Sequence, residues 1–278
     1  MVLLGHFQPG TGGPERATWT SGYFHSVLSS AQFGFLVVAG FGAGLAGSIA
    51  GLASLASYPA LLLVGIPPVQ ANITNTVALT ANTVGAVLSS RRELSGKARS
   101  LLPLMVLMII GGALGSVLLL ALPGQVFAFI VPWLVAAASA VLIARPYILK
   151  RQVGGRHLAR TGLVFLVVVL LAAIYGGYFG AGAGVLVLAM LSMSSRESLP
   201  IVNAEKNVLL GVANLTAAIG FIIFDHVHWL AALAVAIGGV VGSYIGPKIM
   251  RRLPERPTRI VIAILGFALA VKLFTDGL

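Results

Sequence analysis

Cysteine is absent from this chain of 278 residues, and charged residues are scarce. The absence of cysteine excludes disulfides, thiolate zinc sites, iron–sulfur clusters and cysteine nucleophiles. Only 9% of the residues are charged and 58% are hydrophobic, whereas a soluble domain carries about 25% charged residues. A soluble protein of this composition would have too few polar residues to cover its surface, so a soluble enzyme, a disordered chain and a fibrous repeat are excluded. Together with a mean hydropathy of +1.00, the composition indicates an integral membrane protein.

Sequence motifs of several enzyme classes are also missing. The chain contains no GxxxxGKS/T nucleotide loop, no HExxH zinc motif and no GxSxG nucleophile motif. The loop with Asp225, His226 and His228 matches no standard spacing of metal ligands. We therefore expect no enzymatic activity and no cofactor, and we assign no catalytic or metal-binding residue.

The charges that are present are mostly positive and lie between apolar runs. Fourteen of the 18 lysine and arginine residues lie in three regions, 91–99, 145–160 and 248–259. Because cytoplasmic loops are enriched in these residues, we place the three regions in the cytoplasm. The turn at 122–124 and the loop at 225–228 lack lysine and arginine, so we place them, and the C-terminus, outside. The sequence thus predicts a multi-pass protein of the plasma membrane, in which the net charge of +11 reflects topology rather than nucleic-acid binding.

Eight apolar stretches follow a polar N-terminal tail over residues 1–30. A membrane helix needs roughly 20 residues, but the first stretch, 33–66, and the fifth, 161–192, are longer. Gly51 to Pro59 interrupts the first, and Gly176 to Gly184 interrupts the fifth. Each of these stretches is expected to form two shorter helices, which gives about ten helical segments in total.

The two halves of the chain resemble each other. NTVALTAN at 75–82 matches NVLLGVAN at 207–214, and GGALGS at 111–116 matches GGVVGS at 238–243, at offsets of about 130 residues. The basic loop at 91–99 corresponds to the loop at 225–228, which lacks cations, so matching loops lie on opposite sides and the repeats are inverted. We predict an all-α polytopic fold with a first membrane repeat at 31–149, a basic cytoplasmic linker at 150–160 and a second repeat at 161–278. Each repeat is expected to hold about five segments, with broken or short helices near the midplane.

Asparagine residues form a ladder on one helix in each half. Asn75 and Asn82 are seven residues apart, as are Asn207 and Asn214, and seven residues bring a side chain back to nearly the same helix face. Asn203 extends the second ladder. Amides within a bilayer face protein or a water-filled cavity, so we expect the ladders to line a substrate site. Hydrogen bonding that fixes helix packing is the alternative.

Two further features lie next to the ladders. The break at Gly180, Gly182 and Gly184 is expected to expose helix N–H groups that favour anions, with close packing as the alternative. Lys206 is expected to attract an anion, and Glu205 to act as its ion partner or as a coupling group. The alternative is that both side chains lie at the headgroup level and snorkel there.

The residues of the breaks and ladders resemble a known family. SIAGLASLASYPALLLVGIPPVQANITNTVAL in the first half and VNAEKNVLLGVANLTAAIGFIIFDHVHW in the second are similar to the sulfite exporter TauE/SafE family, also described as toluene sulfonate uptake permeases. The resemblance covers about residues 33–274 and implies secondary transport of small sulfur oxyanions, such as sulfite, or of organosulfonates. Where the family often has consecutive glycines, this chain has LASLASYP, so Ser54 and Ser57 are expected to replace backbone contacts. Glu205 stands where an apolar residue is expected.

We therefore expect an alternating-access permease for a small anion, held between the two halves near the midplane. A permease for another small solute and a membrane scaffold without transport activity are the alternatives. The scarcity of carboxylates in the spans argues against a cation, and the duplicated polar ladders argue against a scaffold. The expected partners are the anion and the lipid bilayer.

Overall fold

A computed structural model describes residues 28–150, 162–195 and 197–250, together with the single positions 264, 268, 271 and 275. Within these residues the chain forms ten α-helices and no β-strand, which confirms the all-helical class. In chain order the helices are α1 (Ser30–Ala50), α2 (Ala53–Leu63), α3 (Pro68–Ser89), α4 (Arg91–Leu94), α5 (Ala98–Ala121), α6 (Gly124–Lys150), α7 (Leu163–Tyr178), α8 (Ala183–Ser194), α9 (Leu199–Phe224) and α10 (Trp229–Met250). Most of the predicted tail, the predicted linker beyond Lys150, and the basic region beyond Met250 with the C-terminus lie outside the described residues.

The helices expose large apolar side chains on the outer face of the bundle and bury amides inside it. Leu163 is 77% exposed and Phe224 is 75% exposed, whereas Asn72 and Asn75 are completely buried. This is the reverse of the pattern in a soluble protein, and it is expected where lipid is the solvent. Four of the described helices, α1, α5, α9 and α10, are long and apolar enough to cross a membrane. The distribution is typical of a multi-pass membrane protein.

Both long apolar runs are interrupted at glycines with left-handed backbone conformation. α1 ends at Gly51, which has a φ of 78° and donates its N–H to the carbonyl of Gly47 at 2.8 Å. This bond, with Gly51 in the left-handed conformation, is the αL type of helix end, and the N–H of Leu52 also returns to the carbonyl of Ala46. In the second half α8 begins directly after Gly182, which has a φ of 76°. Because glycine adopts positive φ without strain, the chain can turn sharply at both points.

The first interruption produces a helix hairpin. Close glycine contacts give the helix directions, and the pairs are Gly40–Val235 and Gly44–Gly239 between α1 and α10, and Asn82–Gly239 and Gly85–Ser243 between α3 and α10. In both sets the residue numbers rise together, so α1, α3 and α10 run in the same direction and begin at the same end of the bundle. Only residues 64–67 separate α2 from the start of α3. α2 therefore runs back along α1, and the two form a hairpin.

The second interruption produces a hairpin of the opposite direction. The contact pairs are Gly111–Ala173 and Gly115–Gly177 between α5 and α7, and Gly112–Ala213 and Ser116–Gly220 between α5 and α9. α5, α7 and α9 thus share one direction, and they begin at the end where α3 finishes. α8 joins the far end of α7 to the start of α9, so α7 and α8 enter the bundle from the end opposite to α1 and α2.

The tips of the two hairpins meet at two glycines. A Cβ atom added to Gly184 would lie 2.3 Å from the Cα of Gly51, and one added to Gly51 would lie 2.4 Å from the carbonyl carbon of Gly184. Real Cβ atoms do not approach backbone this closely, so only glycine fits at both positions. The repeated GGxxGS segments also allow close helix packing, because Gly238 and Gly242 lie against α1, and Gly111 and Gly115 lie against α7.

Replacing Gly184 by alanine is expected to lower the stability of the folded protein by about 1–3 kcal/mol, the usual range for overpacking. The new methyl group would meet backbone, which has little freedom to move aside. Gly42→Ala in α1 is the matched control, because nothing lies within 4 Å of the methyl group that it adds. Thermal unfolding of both purified variants in detergent measures the difference. Equal melting temperatures for the two variants would contradict the contact between the tips.

Candidate functional site

A cavity of ≈ 70 Å³ lies where the two hairpins meet. Its wall comes from both hairpins and from α3, α9 and α10 beside them. Because a cavity of about 10–15 Å³ holds one water molecule, this cavity suits a ligand of a few non-hydrogen atoms. Six of the predicted site residues line it: Ser54, Asn82, Gly180, Gly184, Asn207 and Asn214. The others, Ser57, Asn75, Gly182, Asn203, Glu205 and Lys206, are not part of its described lining.

The short helix of each hairpin begins at this cavity. Ala53 and Ser54 open α2, Ala183 and Gly184 open α8, and all four residues line the cavity. Within the described part of the chain, neither helix start has a side-chain capping hydrogen bond. In α8 the N–H groups of Ala183 and Val185 donate to the carbonyls of Gly180 and Gly182, so not all of the first-turn N–H groups are available to a ligand. The helix dipole still gives each helix N-terminus about half a positive charge. Two positive poles therefore converge on one small cavity.

Asn82 contributes an amide that is buried and unsatisfied. The residue is 9% exposed, and neither its Oδ1 nor its Nδ2 has a hydrogen-bond partner among the described residues. The amide fits there because position 239 is glycine, since a Cβ on Gly239 would lie 2.0 Å from the Asn82 Oδ1. A buried amide without partners costs free energy, so a ligand or water that hydrogen-bonds to it gains affinity at this point.

Asn75, the other member of the first ladder, holds α2 against α3. Its Nδ2 donates to the Ser54 Oγ at 3.1 Å, and its Oδ1 accepts from the Ser57 Oγ at 2.5 Å. Of these three residues, only Ser54 lines the cavity. Asn75 and Ser57 therefore stand behind the cavity wall and orient the first turn of α2.

Three neighbouring residues of α9 bind the end of α1. The Lys206 Nζ donates to the carbonyl of Gly47 at 2.9 Å, and Asn203 and Asn207 donate to the carbonyl of Ser48 at 2.7 Å and 3.3 Å. These carbonyls belong to the last turn of α1, where the helix dipole is negative. The Gly47 carbonyl also accepts the N–H of Gly51. Lys206 and Glu205 are both 0% exposed, so neither snorkels to a surface. The positive charge of Lys206 thus lies against the negative pole of α1.

Asn72 performs the same task at the other hairpin, and the sequence analysis missed it. Its Nδ2 donates to the carbonyl of Tyr178, the last residue of α7, at 2.8 Å. Asn203 does this for α1, so each hairpin is held by an amide from the helix that belongs to the other half. One signal was present in the sequence: Asn72 precedes Asn75 by three residues, much as Asn203 precedes Asn207 by four. Ser48, Thr83 and Ser243 also line the cavity.

Comparison with known proteins adds a family to this geometry. A family model described as sulfite exporter TauE/SafE matches residues 36–273. A probable membrane transporter protein of a Sinorhizobium species is 31% identical over 247 residues, which cover 87% of this chain and 92% of that protein. A probable membrane transporter protein of Haemophilus influenzae is 26% identical over 87% of this chain and 94% of its own length. The probable membrane transporter protein YfcA of Escherichia coli is 23% identical, over 90% and 93% respectively. No solved structure matches the chain significantly.

Asn72→Ala is expected to destabilise the protein by about 1–3 kcal/mol, because it leaves the Tyr178 carbonyl buried without its donor. Thr80→Ala on the same helix is the matched control, since the Thr80 hydroxyl bonds only to the carbonyl of Val77 in its own helix. Thermal unfolding in detergent reports the two values. If both variants melted together with the unsubstituted protein, Asn72 would not be holding the second hairpin.

Proposed function

The chain belongs to the sulfite exporter TauE/SafE family of membrane transporters, and on that premise we propose that it carries a small sulfur oxyanion or organosulfonate by alternating access. The observation that carries the proposal is the convergence of the N-termini of α2 and α8 on one cavity. Such N-termini bind anions through free N–H groups and the helix dipole. The cavity volume of ≈ 70 Å³ agrees with a ligand as small as sulfite.

Neutral side chains would complete the coordination of the anion. Asn82, Asn207 and Asn214 offer amide donors, and Ser54 and Thr83 offer hydroxyl groups, all from the cavity wall. Oxyanions accept several hydrogen bonds at once, and donors fixed in advance need little reorganisation to bind them. Gly180 and Gly184 keep the backbone free of side chains at this point.

We propose that the two halves are inverted repeats related by a two-fold axis in the membrane plane. The packing supports this, because the first helix of each hairpin has its main neighbour in the other half of the chain. α1 packs most extensively on α10 of the second half, and α7 packs most extensively on α5 of the first. The paired bonds from Asn72 to Tyr178 and from Asn203 to Ser48 follow the same pattern. Transporters built from inverted repeats hold their substrate at the repeat interface, and this cavity is lined by residues of both halves.

Alternating access would use the two hairpins as opposite gates. Each hairpin enters from a different end of the bundle, and their tips together close the cavity in the centre. Movement of α7 and α8 away from the tip contact would open the cavity to one end, and movement of α1 and α2 would open it to the other. The fixed helices α3 and α9, which cross beside the cavity, would keep the amides in place.

The orientation and direction of transport follow from charge. Arg91, Arg92 and Lys97 lie at the end where α7 and α8 enter, so we assign that end to the cytoplasm. A cytosol-negative potential contributes about 2.3 kcal/mol per charge per 100 mV, which favours export of an anion without a coupling ion. Import would need a coupled cation or proton, and Glu205, buried on α9, is our candidate for that coupling.

Proteoliposomes that contain the purified protein are expected to take up sulfite saturably when an inside-positive potential is imposed. Asn214→Ala should reduce this flux about tenfold or more, because a hydrogen bond to a charged group contributes roughly 1.5–3 kcal/mol. Thr216→Ala is the control on the same helix, since its hydroxyl bonds to the carbonyl of Val212 and it is not part of the described lining.

Size-exclusion profiles and melting temperatures establish that both variants are folded. Unchanged flux in folded Asn214→Ala protein would contradict the assigned cavity. If sulfite, thiosulfate and a sulfonate all failed to cross under either a potential or a pH gradient, anion transport itself would be refuted.

A further inference from the structure

We propose that the cavity selects singly charged anions, such as hydrogen sulfite or a monosulfonate, over doubly charged ones such as thiosulfate. The inference rests on the proposed function, and it specifies the charge of the substrate at the same site. It follows from the charges that surround the cavity, which the family resemblance does not specify.

The cavity wall is electrically neutral apart from helix poles. Among the described lining residues there is no lysine, arginine, histidine, aspartate or glutamate. Its positive potential comes from the N-termini of α2 and α8, each worth about half a unit charge. Together they supply about one positive charge, which balances one negative charge and leaves a second uncompensated.

Lys206 does not add its full charge to this total. Its Nζ donates to the carbonyl of Gly47, and Gly47 and Ser48 form the part of the cavity wall where α1 ends. That end is a negative pole and would repel an anion, so the ammonium of Lys206 offsets it. Lys206 is therefore a positioning and neutralising residue rather than a direct ligand. Glu205, the other charged residue of α9, is buried outside the described lining.

α7 also ends at the cavity, where Gly176 lies in the wall, and its C-terminal pole contributes about half a negative charge. The unit charge of Lys206 offsets the half-charges of α1 and α7 together, so the sum remains about one positive charge. The sequences of α1, α2, α3, α7 and α8 contain no charged residue. Lys248 of α10 lies near the end of that helix, with its ammonium 3.7 Å from the centre of the Tyr244 ring. Because the cost of desolvating an ion grows with the square of its charge, a doubly charged anion loses about four times as much solvation as a singly charged one. Neutral amides and two half-charges therefore compensate the solvation lost by a singly charged anion far better than that lost by a doubly charged one.

The test measures affinity in purified, full-length protein by calorimetry with sulfite at two pH values, one unit below and one unit above the second dissociation of sulfurous acid. If only the singly charged form binds, the affinity for total sulfite falls about tenfold at the higher pH. Methanesulfonate, singly charged at both pH values, should bind equally at both. It thereby reports any titration of Glu205, Lys206, Lys248 or the tyrosines. Thiosulfate, doubly charged at both, should bind at least tenfold more weakly than methanesulfonate.

A positive charge added to the cavity wall gives a second, independent test of the charge preference. Asn214→Lys is expected to reverse the preference between thiosulfate and methanesulfonate, whereas the neutral Asn214→Gln should leave the ratio of the two affinities unchanged. Equal or tighter binding of thiosulfate by the unsubstituted protein, or a sulfite affinity that does not fall at the higher pH, would overturn the inference and leave anion transport intact. Failure of all three anions to bind would overturn the proposed function itself.

Discussion

The contact between Gly51 and Gly184 is the constraint on which the rest of the structure depends. Without side chains at these positions, two hairpins that enter from opposite ends bring their backbones together at the centre of the bundle. The first turns of α2 and α8 consequently face the same cavity. A methyl group at either position would separate the tips and move the helix N-termini apart. The close contact of the two backbones therefore fixes the positions of the helix N-termini, and side chains of the neighbouring helices complete the cavity wall.

A broken helix creates two poles of opposite sign at once, and the structure treats them differently. The N-terminal poles of α2 and α8 open on the cavity. The C-terminal carbonyls of α1 and α7 are bound by donors from α9 and α3, with Asn203, Asn207 and Lys206 at one hairpin and Asn72 at the other. Satisfying the carbonyls removes both an unsatisfied backbone group and a negative field from the neighbourhood of an anion. Among the described residues, a charged donor binds the end of α1, whereas the donor at the end of α7 is the neutral amide of Asn72.

Much of this arrangement could be predicted from sequence, because composition and periodicity indicate which helix faces contact lipid and which contact protein. The all-helical class, the breaks near Gly51 and Gly182, and the central position of the asparagine helices all followed from such patterns. A periodic pattern gives the direction of a side chain but not the group opposite to it. Asn75 therefore proved to bond to Ser54 and Ser57, and Lys206 to a backbone carbonyl, which no sequence displays as a motif. No asparagine lies seven residues from Asn72, so the spacing that identified the two ladders did not identify Asn72.

The central claim is that an anion binds between the first turns of α2 and α8, and the most direct measurement is its position in the protein. Crystals grown with selenite allow selenium to be located by anomalous scattering. The account predicts a single strong peak in the cavity beside Asn82, within hydrogen-bonding distance of the backbone N–H groups that open both helices. A strong selenium peak elsewhere in the bundle, with this cavity empty of it, would contradict the account.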